Sequence, residues 1–307
     1  MPSTQEIKRR IKSVNSTRQI TKAMELVSAT KMRKSQEIAL LSRPYAVEAL
    51  RILGEMARRT AYKPELMKKR LVKNTAVVLI SADRGLAGAF NTNVFRAFEK
   101  YFGTHLNSPH YSFISIGKKA EDYLLRKSIT PRKSFKDFGD YVAGEETKPL
   151  SDLLINGFLN NNWDRVITIG THFRTTLRQE VLIRNVLPID YEKMIETVRS
   201  ITPEYGRFAE VGKGETGFEK YFEYLVEPSP KTVLDALAPH LLGIEIYHII
   251  LEANASEHSA RMVAMKNASE NAKDLGDELN LEFNKTRQAA ITREISEIVG
   301  GSEALNG

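Results

Sequence analysis

The sequence predicts an α/β fold in which a long antiparallel coiled coil of N- and C-terminal helices is joined to a small Rossmann-like α/β domain. Three observations predict it: a helical pattern running from Thr4 to Arg59, β-rich runs alternating with helices between Thr75 and Pro228, and a 3.5-residue repeat from Leu237 to Ala290. The expected boundaries are 1–60 for the N-terminal helix, 70–228 for the α/β domain and 229–307 for the C-terminal helix.

In the first region Ile7, Ile11, Val14, Ile20, Met24 and Val27 keep helical spacing, and neither Gly nor Pro interrupts the run from Ser3 until Pro44. Ser3 or Thr4 is expected to cap the start, with Glu6 near the positive end of the helix dipole. Pro44 lacks a backbone donor and crowds the preceding turn, which predicts a bend or offset there.

In the middle region Thr75–Ser81, Tyr111–Ile116 and Arg165–Ile169 read as strands, with Gln179–Leu187 as a weaker fourth. Helices are expected at Thr92–Phe102, Lys118–Arg126 and Leu150–Leu159, so the sheet should be largely parallel. The segment Tyr205–Phe218, with glycines at 206, 212, 214 and 217, reads as a surface loop.

From Leu237 onward, steps of four and three land on Leu237, Leu241, Ile244, His248, Leu251, Ala255, His258, Met262, Met265, Ser269, Ala272, Gly276, Leu279, Phe283, Thr286 and Ala290. Eleven of these sixteen are apolar, the mark of a coiled-coil seam. At 1.5 Å per residue such a helix spans ~80 Å, too long to be buried in one compact domain. The two terminal helices, each with a narrow apolar stripe, are therefore expected to pair.

Composition narrows the function classes. The chain has 307 residues, 42% hydrophobic and 27% charged, which is ordinary for a folded protein. No cysteine occurs, which excludes disulfides, Cys-ligated zinc and a thiol nucleophile. No run approaches ~18 uninterrupted apolar residues. The best candidate, Leu237 to Leu251, is broken by His240, Glu245 and His248. The start reads as free of a targeting peptide. The net charge of +7 is uneven: residues 1–70 hold 17 Lys and Arg against 6 Asp and Glu. Such a segment calls for an acidic partner surface, whether nucleic acid, anionic lipid or protein.

The motifs supply little chemistry. Ser81–Asn91 follows a strand and precedes a helix, but Gly85 and Gly88 lack the spacing of a phosphate loop or dinucleotide fingerprint. A tight strand–helix turn is the better reading, with Asn91 expected to cap the next helix. The histidines at 105, 110, 172, 240, 248 and 258 form no metal-ligand pattern, so neither metal nor cofactor is expected. No nucleophile–base arrangement is apparent. Arg18, Lys22 and Lys31-Met32-Arg33-Lys34 make a basic face on the first helix. A nucleic-acid-binding coiled coil and a nucleotide-dependent enzyme remain alternatives on these residues alone.

Ile20–Gln36 (ITKAMELVSATKMRKSQ) with Arg43-Pro44-Tyr45 resembles the N-terminal helix of ATP synthase γ subunits. Glu257–Lys266 (EHSARMVAMK) and Asn284–Ile298 (NKTRQAAITREISEI), followed by Val299-Gly300-Gly301, resemble the C-terminal helix of that family, and SADRGLAGAFN resembles its loop after the first strand. Ala87 stands where many members carry Cys, so the resemblance is to the bacterial type. It implies a non-catalytic central rotor shaft without cofactors, at the cytoplasmic face of the bacterial cell membrane. Its partners would be the α, β and ε subunits and the c-ring, and not nucleic acid. Carried over, Arg287, Gln288, Met24, Lys31, Arg33 and Lys34 would contact β subunits. Ile291, Ile295, Ile298 and Val299 would form a bearing tip, and Tyr224 and Glu227 would meet the c-ring.

Overall fold

A computed structural model describes residues 3–103, 106, 108–200 and 226–306, apart from the side chains of 43, 55, 57–59, 196–200 and 303–306. The elements run α1 (Thr4–Arg59), β1 (Thr75–Ile80), α2 (Phe90–Phe102), β2 (Tyr111–Ile116), α3 (Lys118–Arg126), β3 (Lys133–Phe135), α4 (Gly144–Leu159), β4 (Arg165–Phe173), β5 (Gln179–Leu187), α5 (Tyr191–Ser200) and α6 (Pro230–Asn306). They form two compact units, Met1–Val27 with Met262–Gly307, and Ser28–Arg261.

In the first unit the start of α1 packs on the stretch of α6 that ends at Thr286. A capping box opens α1: the Ser3 hydroxyl accepts the Glu6 N–H at 3.2 Å, and the Glu6 carboxylate accepts the Ser3 N–H at 3.0 Å. The α6 seam emerges as expected as far as Thr286, whereas Ala290, the last position expected in it, is exposed. Met265, Ser269, Gly276 and Leu279 are buried, Ala272, Phe283 and Thr286 half-buried, and most of the residues between them exposed. A side chain at Gly276 would come within 3.8 Å of Val14 and 3.7 Å of Asn15, so the helices approach closely there.

The seam on α1 departs from expectation. Ile7 is buried and Ile11 and Val14 half-buried, but Ile20 and Val27 are exposed, and Thr21 is buried in their place. Steps of 3.5 residues from Val14 land on position 21, whereas Ile20 sits a further 100° around the helix. The Thr21 hydroxyl is satisfied by the Thr17 carbonyl at 3.0 Å, so a small polar residue sits in the seam without an orphaned group.

In the second unit the sheet order is β3-β2-β1-β4-β5, parallel except for β4–β5. Period-two alternation divides β1 between two cores. Ala76, Val78 and Ile80 join Ile114, Ile116 and Val166 under α1, α4 and α6. Val77 and Leu79 join Phe113, Ile167 and Ile169 under Phe98 of α2 and Leu124 of α3. Between Leu234 and Arg261, α6 is buried on most sides, and it contributes Leu234, Ala238, Leu241, Leu242, Ile246, Ile249, Ile250 and Leu251 to the first core. By length and composition α6 also contains an 18-residue window apolar enough to cross a membrane, but half of that window is buried inside the protein. Ser42–His248, Tyr45–His240 and Tyr62–Asp235 contacts run in opposite chain directions, so α1 and α6 are antiparallel here.

Several local expectations change. The helix assignment continues through Pro44. Helices α2 and α4 begin earlier than expected, at Phe90 and Gly144, and α4 tolerates Pro149 in its second turn. The short strand β3 and helix α5 lacked a sequence signal, and the antiparallel β5 qualifies the parallel sheet. The glycine-rich segment Tyr205–Phe218 lies outside the described residues.

Two glycines allow close approach. At Gly117 φ is +85°, and a Cβ would sit 2.1 Å from the Ser81 carbonyl oxygen. At Gly157 a Cβ would fall 1.8 Å from the ring of Trp163, whose indole N–H donates to the Leu154 carbonyl at 3.1 Å. Gly157→Ala should therefore overpack this core and cost about 1–3 kcal/mol, read as a lower denaturant midpoint by Trp163 fluorescence. An unchanged midpoint would contradict this packing.

Candidate partner-binding surfaces

The loop after β1 is the place where a doubly wound sheet most often holds a ligand, beyond the carboxyl ends of the strands. Here bonds within the chain occupy three of its polar groups, the Asp83 carboxylate, the Gly85 carbonyl and the Asn91 side-chain oxygen. The Asp83 carboxylate accepts the N–H groups of Lys118 at 2.8 Å and Asp137 at 3.1 Å. The Gly85 carbonyl accepts from the Arg261 guanidinium at 3.2 Å. Asn91 does not cap α2 as expected. Its side-chain oxygen instead accepts the Ala82 N–H at 3.0 Å, and the helix starts at Phe90 with no side-chain cap.

Arg261 also donates to Glu257 at 2.6 Å. Burial holds the Glu257 carboxyl above the usual range although Arg261 pulls it down. Beside this pair, His258 lies 3.1 Å from Asp140, whose other oxygen meets Lys31. Burial pushes His258 down to about 4, against the pull of Asp140. Asp140 is raised by burial, but Lys31 and His258 outweigh that and hold it below its ordinary range. This cluster joins α1, the segment before α4, and α6 within the second unit.

The residues assigned by resemblance therefore fall into distinct settings. In the second unit Lys31 is engaged with Asp140, while Arg33 and Lys34 are exposed, with Lys34 3.6 Å from Glu37. In the first unit Met24 is half-buried, and Arg287 and Gln288 are exposed. The seam ends at Thr286, and every side chain from Arg287 to Ser302 is exposed. Ile291, Ile295 and Ile298 follow steps of four and three, so they form one apolar stripe with Val299 beside it. Their exposures are 48%, 57%, 71% and 53%. Glu227 is exposed just before α6, and Tyr224 lies outside the described residues.

Sequence reasoning missed the buried polar residues of α6. Glu252 meets Arg184 at 2.8 Å and His172 at 3.0 Å, tying α6 to β4 and β5. Burial alone would raise the Glu252 carboxyl, but Arg184 and His172 together hold it below the usual range. Glu245, His248, Glu252 and Ser256 lie at steps of three, four and four on one helix face. A polar residue at each of those steps was the available signal.

Asp140→Asn should weaken the hold on Lys31 and His258 and cost about 0.5–1 kcal/mol, since the pair is partly solvated. By contrast, Ile295→Ser and Ile298→Ser should change unfolding free energy by no more than about 0.5 kcal/mol, because neither side chain is packed. Denaturant titration of the full chain distinguishes the two classes.

A family model described as ATP synthase matches residues 3–305. The ATP synthase gamma chain of Roseiflexus castenholzii is 40% identical over 99% of both chains, and that of Herpetosiphon aurantiacus is 40% identical over 100% of both. Among solved structures, a chain of the Euglena gracilis mitochondrial ATP synthase OSCP/F1/c-ring structure is similar at TM-score 0.64 and 19% identity, covering 98% of this chain and 94% of that one. A chain of the Euglena rotor structure is similar at TM-score 0.59 and 20% identity, covering 94% and 98%. The paired terminal helices, the five-stranded sheet and these full-length matches together place the chain in the ATP synthase gamma chain family.

Proposed function

We propose that the chain is the central rotor shaft of an F-type, proton-translocating ATP synthase and has no catalytic site of its own. The observation that carries this reading is the end of α6. Its seam stops at Thr286, and the apolar stripe Ile291, Ile295 and Ile298 has no packing partner among the described residues. Burying such side chains is worth about 1.5–3 kcal/mol each, so the stripe is built for a partner surface.

On this reading residues 1–60 and 229–307 form the shaft, and 70–228 form the foot. Ile291, Ile295, Ile298 and Val299 turn in an apolar bearing made by the surrounding α and β subunits. Arg287 and Gln288, one turn earlier, offer exposed donors to a β-subunit loop, with Met24, Arg33 and Lys34 on α1 as further contacts. Lys31 acts mainly through Asp140. The foot meets the ε subunit and the c-ring, with Tyr224 and Glu227 as the contact residues, at the cytoplasmic face of the bacterial cell membrane. The bonding of Asp83, Gly85 and Asn91 within the chain supports a structural rather than catalytic role for the β1–α2 loop.

An asymmetric shaft can drive its partners only through contacts that differ between their conformations. Each turn presents Arg287 and Gln288 to successive β subunits, and nucleotide affinity at each follows the contact. Tagged chain coexpressed with α and β subunits should recover both; failure to recover either would overturn the assignment. Within that complex Arg287→Ala should lower ATPase activity several-fold while the chain's own unfolding midpoint stays put. Wild-type activity would remove Arg287 from the contact set.

A further inference from the structure

Four of the buried side-chain atoms without a hydrogen-bond partner among the described residues fall on one face of α6: Glu245 Oε2, His248 Nδ1, Glu252 Oε1 and Ser256 Oγ. Two of the residues that carry them, Glu245 and His248, line one cavity. Ala46 and Leu50 of α1, Met194 of α5, and Leu241, Ile244, Glu245 and His248 of α6 enclose about 10 Å³, enough for one water. Apart from Glu245 and His248, its walls are apolar.

The hydroxyl of Ser42 favours one tautomer of His248. That hydroxyl donates its one proton to the carbonyls of Ile38 and Ala39, at 3.2 and 3.0 Å. While it donates there it accepts from His248 Nε2, 3.4 Å away, and in that arrangement Nε2 carries the ring hydrogen. Nδ1 is then an acceptor without a partner on one residue that lines the cavity, and a protonated Glu245 is a donor on another. One water accepting from the carboxyl and donating to Nδ1 would satisfy both.

We propose that Glu245 and His248, bridged by one water, hold a single proton between them and act as a latch that fastens α6 to α1 and α5 and releases on the alkaline side. The surrounding charges agree. From β5, Arg184 pulls the Glu245 carboxyl down, but burial dominates and raises it to about 8. Glu252, the next acid on α6, favours a charged His248, yet burial holds that ring down at about 4. Glu252 is itself committed to Arg184 and to His172 of β4. The α1 and α5 side chains lining the cavity carry no charge.

The sign follows from proton counts. Between about pH 4.5 and 6.5 the unfolded chain holds this proton on the imidazole and the folded chain holds it on the carboxyl, so stability is flat. From about pH 6.5 to 8 the unfolded pair holds none while the folded pair keeps one. Stability must then fall with pH, by about tenfold in the folding equilibrium constant per pH unit. Below about pH 4.5 the unfolded pair binds the extra proton, and stability falls again.

The test uses the full chain, with Trp163, its single tryptophan, reporting on the buried core of the second unit. Denaturant titrations across pH 6–9 should show a decline of about tenfold per unit between pH 6.5 and 8 for the wild type that Glu245→Gln removes. Parallel pH profiles for the two would overturn the proposal. Glu245→Leu, which fills the cavity without a titratable group, provides a second variant and should be equally flat. If both variants fail to fold, amide exchange of the wild type decides. Protection around Ala46–Leu50 and Leu241–His248 should drop more steeply with pH between 6.5 and 8 than protection in β1. Equal slopes would reject the latch.

Discussion

The burial of α6 between Leu234 and Arg261 is the constraint on which the second unit depends. This stretch supplies a large share of the core beneath β1, β2 and β4, so the sheet cannot fold independently of the chain's last helix. It is the C-terminal region, more than the strand–helix segments themselves, that completes the α/β unit. Antiparallel α1 closes the same core through Ala46, Val47, Leu50 and Leu53. Non-local pairing of this kind carries a loop-closure cost before it gains any burial, so the sheet and the two helices should form together.

Specific polar contacts fix the register that apolar burial leaves loose. Glu252 with Arg184 and His172 sets α6 against β4 and β5, and Arg261 with Gly85 sets it against the β1–α2 loop. Buried ionic groups add little net stability when paired but cost several kcal/mol when one partner is removed, which suits them to fixing one arrangement. In the first unit the balance is different. Small seam residues such as Thr21 and Gly276 let the helices approach, and charged residues cover the outer faces.

Much of this was legible in the sequence because the patterns were long. The 3.5-residue repeat of α6 maps onto burial from Met265 to Thr286, and strands β1, β2 and β5 fall where β-rich runs end in turn signals. What could not be read came from contacts distant in sequence. The strand β3 has three residues and exists through pairing with β2. Ile20 looks like a core residue by hydropathy, and only the register of the partner helix turns it outward. Asn91 has the chemistry of a helix cap, but the end of β1 presents it with the Ala82 N–H instead. The contact roles proposed for Arg287, Gln288, Ile291, Ile295, Ile298 and Val299 rest on family resemblance, because a helix exposed on every side leaves no internal packing to reason from.

The shaft reading joins these parts. A core that locks α6 firmly into the second unit and an α6 end that finds no packing partner among the described residues are what a transmission element requires. Rotation tests this most directly. A complex reconstituted from this chain with α and β subunits would be anchored through β, with a bead on the α/β domain, and supplied with ATP. The account predicts stepwise turning in one direction, with three dwell positions per revolution. Sustained ATP hydrolysis by the same complexes with no bead rotation would contradict it.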